Sequence, residues 1–501
     1  MPQAVLAIDQ GTTGSTALVL DRDGRVLGRA TEEFTQHYPQ PGWVEHDPEE
    51  IWRVSLGVID SALREASLAD GDLRAVGITN QRETTVVWDR ATGEPIHRAI
   101  VWQSRQTAEI CQEIRENGLE PAITEKTGLV VDPYFSGSKV KWILDRYPEA
   151  RPRAENGDLV FGTIDTWLLY KLTGGEVLAT EPTNASRTLL YDIRSLAWDH
   201  DLLEIFGVPE AMLPEVKPSS GIFGTTVPAG EIPGGVPVSG IAGDQQAALF
   251  GQACWRPGMV KNTYGTGCFV VLHTGSELQK SSCGLLTTVC CDADGGAAYA
   301  LEGSVFTTGA AVQWLRDEMG LIGSAVETEE VASKVHDTQG VYVVPAFAGL
   351  GAPYWDMDAR GAIVGLTRGS GREQIIRATL DSIAYQTRDV VDAMNCDAAT
   401  TVHQLRADGG AAANNLLMQF QADILGVPVV RPRLLETTAA GAAFLAGLGA
   451  GVWRDSGELE DVWSEDRRFE PAMDPTERDR LYTGWRAAVE RIRADRREAR
   501  R

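Results

Sequence analysis

Two stretches of this chain, far apart, follow one plan. Near the start, the apolar run 4–8 is broken by Asp9-Gln10-Gly11-Thr12-Thr13-Gly14 and resumes over 15–20. Near the middle, residues 259–264 end in Gly265-Thr266-Gly267, and a second apolar run follows over 268–272. Each reads as a strand, a small-residue turn and a strand. Any hairpin with a small-residue turn has this look, but two copies also fit a chain built from two halves on one β–turn–β plan. The rest of the chain agrees with an α/β architecture. Asp47-Pro48-Glu49-Glu50 carries a cap residue, an N1 proline and early acids, and apolar residues at helical spacing follow it. Helical patterns recur over 372–394 and 411–425, and a charged amphipathic helix is expected from Pro475 onward. Strands mixed with helices imply sheets covered by helices.

The chain has 501 residues, enough for two large domains or three of about 150 residues. The Pro- and Gly-rich stretch 208–237 reads as surface loops, so the boundary is placed near residue 250, giving halves 1–250 and 251–501. Seventy acidic residues against 46 basic ones leave a net charge of −24. Such a surface repels phosphate polymers and anionic lipid, which argues against nucleic-acid binding. Seven cysteines, with no CxxC and no zinc-type spacing, fit a reduced, cytoplasmic protein. The first residues lack a basic n-region and a cleavage site. The uncharged stretch 437–453 is too short and too rich in Gly and Ala for a membrane span, and reads as a buried helix.

The two Gly/Thr turns are candidates for phosphate. Glycines let backbone N–H groups approach an anion closely, and threonine hydroxyls add donors. Asp9, at a strand end, could hold Mg²⁺ directly or through water. A plain hairpin turn is the alternative. No GxxxxGK[ST] occurs, and no GxGxxG follows the first strand, so a P-loop and a dinucleotide fold are both excluded. Asp408-Gly409-Gly410 precedes a helix carrying Asn414, and its glycines would let a flat ligand lie on the backbone, or simply make a turn.

A second group of residues suits a polyol. Gly243-Asp244-Gln245-Gln246 opens a helical stretch, so Asp244 reads either as an N-cap or as a general base for a substrate hydroxyl. Both readings rest on a helix N-terminus favouring an anion. Arg82-Glu83 reads as a solvated pair, or as a donor and an acceptor bracketing neighbouring hydroxyls. Trp102 and Tyr134 lie in apolar surroundings and read as core, or as the apolar wall and phenol of a polyol site.

Taken together, the segments 9–13, 77–85, 132–137, 240–251 and 261–269, with 134–142 and 361–381, resemble the FGGY carbohydrate kinases over roughly residues 4–490, and among these the kinases of glycerol most closely. The resemblance implies two actin/hexokinase-like (ribonuclease H-like) α/β domains with a nucleotide cleft between them. It implies ATP-dependent phosphorylation of glycerol to sn-glycerol 3-phosphate. By similarity, Arg82, Glu83, Tyr134, Asp244 and Gln245 bind glycerol, Trp102 and Phe269 wall it, and Asp244 is the base. Thr12, Thr13, Gly14, Thr266, Gly309, Gln313, Gly410 and Asn414 line the nucleotide, and Asp9 acts through Mg²⁺. The family also implies a homodimer or homotetramer, and charge, cysteine usage and hydropathy point to a cytoplasmic protein without nucleic acid or membrane insertion.

Departures bear on the details. Many of these kinases carry Ser at the place of Gly14 and Arg at that of Thr16, so Thr16 loses a charge near the phosphates. The loop 230–237 lacks the arginine that binds fructose 1,6-bisphosphate in inhibited bacterial relatives, so that control should be weak or absent. No counterpart of a phosphorylated His loop is present. Two other readings stay open: a kinase of another polyol or sugar, and a non-catalytic nucleotide-sensing or filament-forming protein on an actin-like fold.

Overall fold

A computed structural model describes residues 3–397 and 401–498. Its frame is two mixed sheets. The first has six strands in the order Ser220–Thr225, Pro237–Gly243, Leu73–Asn80, Ala4–Gln10, Gly14–Asp21 and Val26–Glu33. The second has seven: Leu286–Cys291, Ala297–Val305, Cys268–Gly275, Val260–Tyr264, Leu405–Asp408, Val429–Pro432 and Glu465–Phe469. Both follow the same scheme. A central strand, Ala4–Gln10 or Val260–Tyr264, is antiparallel to its hairpin partner on one side. On the other side it is parallel to a strand that is itself parallel to the next. An antiparallel strand closes that edge in each sheet. The echo between the two Gly/Thr segments is therefore an echo of whole sheets.

Helices cover these sheets for the reason the sequence suggests. In Pro48–Ala66, the Asp47 carboxylate accepts from the N–H groups of Glu49 and Glu50, and Ile51, Val54, Val58, Ile59 and Ala62 are buried at helical spacing. The stretch 437–453 contains the buried helix Thr437–Gly449, but this helix from the second half packs on the first sheet. Close approach makes that possible. A Cβ on Gly77 or Gly240 would collide with the helix backbone at Ala442 and Ala446. The charged tail is the helix Pro475–Glu498.

Three local readings change. Within 208–237, Ser220–Thr225 is an edge strand rather than loop, paired on one side only, with a register irregularity. An edge strand needs no continuous apolar run, so its pattern is weak. The helix expected over 411–425 begins at Asn415, after a 3₁₀ turn over Gly410–Ala413. Cys283 and Cys396 form a disulfide, contrary to the expectation of a reduced chain, while the other five cysteines are free and buried. The pair is 113 residues apart, so no spacing motif announces it.

Candidate active site

The site arises from strand register. Gln10, Asn80 and Gly243 are side by side at the ends of three neighbouring parallel strands. Whatever follows each strand therefore emerges from one sheet edge: the turn 11–14, Gln81-Arg82-Glu83, and Asp244. Carboxyl ends of parallel strands are where α/β sheets bind ligands. The second sheet repeats this. Thr263 pairs with Asp408, so the turn 265–267 and Gly409-Gly410 leave its edge together. The two Gly/Thr turns even close alike, with Gly11 N–H donating to the Gly14 carbonyl and Gly265 N–H to that of Gly267, both at 2.9 Å.

Every residue considered for the polyol falls into one contact cluster. Arg82 Nε is 3.0 Å from Asp244 Oδ1, and Arg82 Nη2 is 3.5 Å from the Tyr134 hydroxyl. Gln245 Nε2 donates to Asp244 Oδ2 at 3.0 Å. Trp102 meets Tyr134 at 5.4 Å and Phe269 at 6.3 Å between ring centroids, and Arg82 lies over the Phe269 ring at 5.7 Å. Phe269 comes from the second sheet, so the cluster spans both. Arg82-Glu83 is no solvated pair: both side chains are about 1–2% exposed. Their backbones have φ of 58° and 25°, a left-handed conformation costly for non-glycine residues and persistent only where surroundings enforce it.

The enforcing groups are ones the sequence reading missed. Lys139 is buried and donates to the carbonyls of Glu83 (3.1 Å) and Tyr134 (2.6 Å). Burial pulls its ammonium down to about 7. Arg187 Nε donates to Glu83 Oε1 at 2.6 Å, and its guanidinium lies over the Tyr134 and Phe135 rings. Glu302, from the second sheet, accepts from both Arg82 and Arg187. Burial pushes Glu302 up, but Arg187 and Arg82 outweigh it and hold it near 2. A sequence signal existed: Glu302 is the lone charge in the strand Ala297–Val305. Lys261 is another, donating to Gln245 Oε1 at 2.5 Å, with burial drawing it down to about 8.

Asp244 is not the N-cap. Gly243 occupies that place, and Asp244 is the first helical residue with its side chain 25% exposed, open to the cleft. Asp9 lies near enough that burial, and secondarily the Asp244 charge, raise it to about 7.

The nucleotide candidates divide. Thr266, Gly309, Gln313, Gly410 and Asn414 line one cavity of about 340 Å³. Gly309 N–H donates to the Gly265 carbonyl, so turn and helix start are one unit. Asn414 caps its helix through Leu417 N–H, and Gly409, at φ 83°, presses on the Tyr264 backbone where no Cβ fits. Thr12, Thr13 and Gly14 do not line this cavity; they sit on the opposite turn, where Trp102 Nε1 donates to Thr12 Oγ1 at 2.9 Å. Gly14 has a packing role, since a Cβ there would be 2.7 Å from the Glu32 carbonyl. Thr16 Oγ1 shares a hydrogen bond with Thr31 at 3.0 Å on the hairpin.

Models of the FGGY family of carbohydrate kinases match this chain, the N-terminal domain over residues 4–251 and the C-terminal domain over 260–450. The chain belongs to that family. It is 60% identical to glycerol kinase of Carboxydothermus hydrogenoformans over 98% of both chains, and 59% identical to that of Aeromonas salmonicida over 98% of this chain and 97% of the relative. Among solved structures, Plasmodium falciparum glycerol kinase with ADP superposes with a TM-score of 0.90 at 36% identity, over 98% of each chain. Gluconate kinase of Lactobacillus acidophilus, at 20% identity and a TM-score of 0.86, shares the fold.

Proposed function

We propose that this chain transfers the terminal phosphoryl group of ATP to glycerol, giving sn-glycerol 3-phosphate and ADP. The observation that carries the reading is the polyol cluster itself. Glu83 Oε2 is buried with no hydrogen-bond partner, and Arg82 Nε, beside Asp244, makes no hydrogen bond of good geometry. A free acceptor on Glu83 beside the Arg82–Asp244 pair, walled by Trp102 and Phe269, matches adjacent hydroxyls on a short carbon chain. Relatives of about 60% identity that bear the name glycerol kinase support the same substrate.

Phosphoryl transfer asks for alignment and charge neutralisation more than for covalent help from the protein. Asp244 accepts the proton of the attacking hydroxyl. Arg82 and Glu83 fix which hydroxyl faces it, and Tyr134 and Gln245 hold the remainder. Thr266, Gly309, Gln313, Gly410 and Asn414 seat the adenosine side, and Thr12, Thr13 and Gly14 meet the phosphates from the other turn. Asp9 fits Mg²⁺: burial, and secondarily the Asp244 charge, raise its carboxyl to about 7, and a divalent cation beside it would offset both effects. The cation would neutralise phosphate charge. On this reading residues 1–250 carry the polyol site and the first phosphate turn, and 251–501 bind the adenine nucleotide, although the helix Thr437–Gly449 completes the first layer. No described helix is long and apolar enough to cross a membrane. We place the protein in the cytoplasm as a homodimer or homotetramer, a state that light scattering decides.

A coupled assay of ADP release, run with ATP, Mg²⁺ and a panel of polyols and sugars, tests the activity. Glycerol should be the preferred acceptor. Preference for a pentitol or a sugar would move the chain to another member activity of the family, and no turnover with any acceptor would overturn the reading.

A further inference from the structure

The polyol cluster is held from the wrong side of the cleft. Arg82 and Glu83 belong to the first sheet's edge, as does Arg187 by its contacts, yet the carboxylate between the two arginines belongs to the second sheet. Glu302 is fully buried. Its Oε2 accepts from Arg82 Nη1 at 2.6 Å, and its Oε1 from Arg82 Nη2 at 3.3 Å and from Arg187 Nη2 at 3.1 Å. The grip on Arg82 is two-pronged, which fixes the plane of the guanidinium and leaves Nε turned toward Asp244. Arg187 in turn grips Glu83 Oε1, leaving Oε2 free. One carboxylate thus orients the donor directly and the acceptor through an intermediary. Without it two buried guanidinium groups would face each other with Glu83 as their main counter-charge, an arrangement that buried charges do not sustain unmoved.

We infer that Glu302 is a positioning residue for the polyol, through which the nucleotide-bearing half sets the geometry of Arg82 and Glu83 in the other half. The inference rests on the activity proposed above and deepens it. It follows that the glycerol site is correctly formed only when the second sheet is docked against the first, so the acceptor is held best in the arrangement that also presents the nucleotide. Glu302 itself touches no reacting atom.

The test is a steady-state comparison of the unaltered chain, Glu302→Gln and Glu302→Asp, with glycerol and ATP varied separately and melting temperatures recorded. Glu302→Gln keeps shape but not charge. It should raise the KM for glycerol roughly ten- to a hundredfold, the scale of one charge-assisted hydrogen bond, and leave the KM for ATP within about threefold. Glu302→Asp, which restores the charge, should recover a large part of the glycerol effect. An unchanged glycerol KM in folded Glu302→Gln protein overturns the inference. So do equal rises in both KM values with no recovery in Glu302→Asp, since those mark a merely structural residue. Should Glu302→Gln not fold, Glu302→Asp decides by the same split: a rise confined to glycerol supports the inference, and a uniform rise overturns it. The unaltered chain separates the two levels. If it fails to phosphorylate glycerol, the activity reading falls; if it succeeds and the variants keep its glycerol KM, only the role of Glu302 falls.

Discussion

The polyol cluster and the 340 Å³ cavity stand at matching edges of two sheets with one strand plan, yet they are built from opposite materials. The cluster is dense with buried charge: Arg82, Glu83, Arg187 and Glu302 all lie at 1% exposure or below. The cavity is lined mainly by Gly, Ala, Thr, Gln, Asn and aliphatic side chains, with Tyr264, Arg316 and Glu329 its ionisable members. A small uncharged ligand offers little surface, so orientation must come from fixed donors and acceptors that are themselves locked by ion pairs. A flat, larger ligand gains from close apolar contact with backbone and small side chains. The same scaffold supplies both because the turns and strand ends vary while the strand order stays.

The sharpest way to break this comparison is at Asp244. Asp244→Asn should lower kcat by about 10²–10⁴-fold, the range of a general base, while glycerol binding measured by calorimetry changes little. Unchanged turnover would remove Asp244 from the base role. Next comes the contrast in charge. Arg187→Met strands Glu83 and half of Glu302 in the interior, and should cost roughly 3–5 kcal/mol in denaturant unfolding. A cost within the error of the unaltered protein would show that the cluster is not held by its charges. At the neutral edge, Gln313→Ala should leave stability within about 0.5 kcal/mol and weaken ATP by about five- to tenfold, read as KM.

Acid stability sharpens the comparison further. Glu302 is held near 2, below its ordinary 4.5, so its contribution is complete above about pH 4.5 and is lost as the pH falls toward 2. Melting curves of the unaltered chain should therefore fall more steeply across that window than those of Glu302→Gln. Parallel curves would contradict the ion pairing. The smallest effect concerns the loop 230–237. Its Glu231 already pairs with Arg64, and the Glu231 N–H donates to Asp60, so the surroundings are acidic. Fructose 1,6-bisphosphate at millimolar concentration should change the rate by less than about twofold, and strong inhibition would reveal a cationic site elsewhere.

Much of the fold was legible because it is local. The Asp47 cap, the apolar spacing of 51–62, and the strand–turn–strand echo are each contained in a short window where period and turn chemistry suffice. The edge strand Ser220–Thr225 was not, since one-sided pairing imposes little pattern. At the site, motif resemblance reached Arg82, Glu83, Tyr134 and Asp244 but not the buried groups that hold them. Lys139, Arg187 and Glu302 reach Glu83 or Arg82 across 56 to 220 residues, and no short window contains such a pair.

The sequence by itself determined that two similar strand–turn–strand units exist, that helices cover them, and which polar residues end the strands, because hydrophobic period and turn chemistry act over neighbouring residues. Tertiary structure alone decided that a helix from the second half would cover the first sheet, that Gly243 rather than Asp244 would cap its helix, and that Glu302 would reach Arg82 and Arg187. Those outcomes depend on how two sheets dock and on which buried charges then find one another, and desolvation makes such pairings obligatory only once the docking has excluded water.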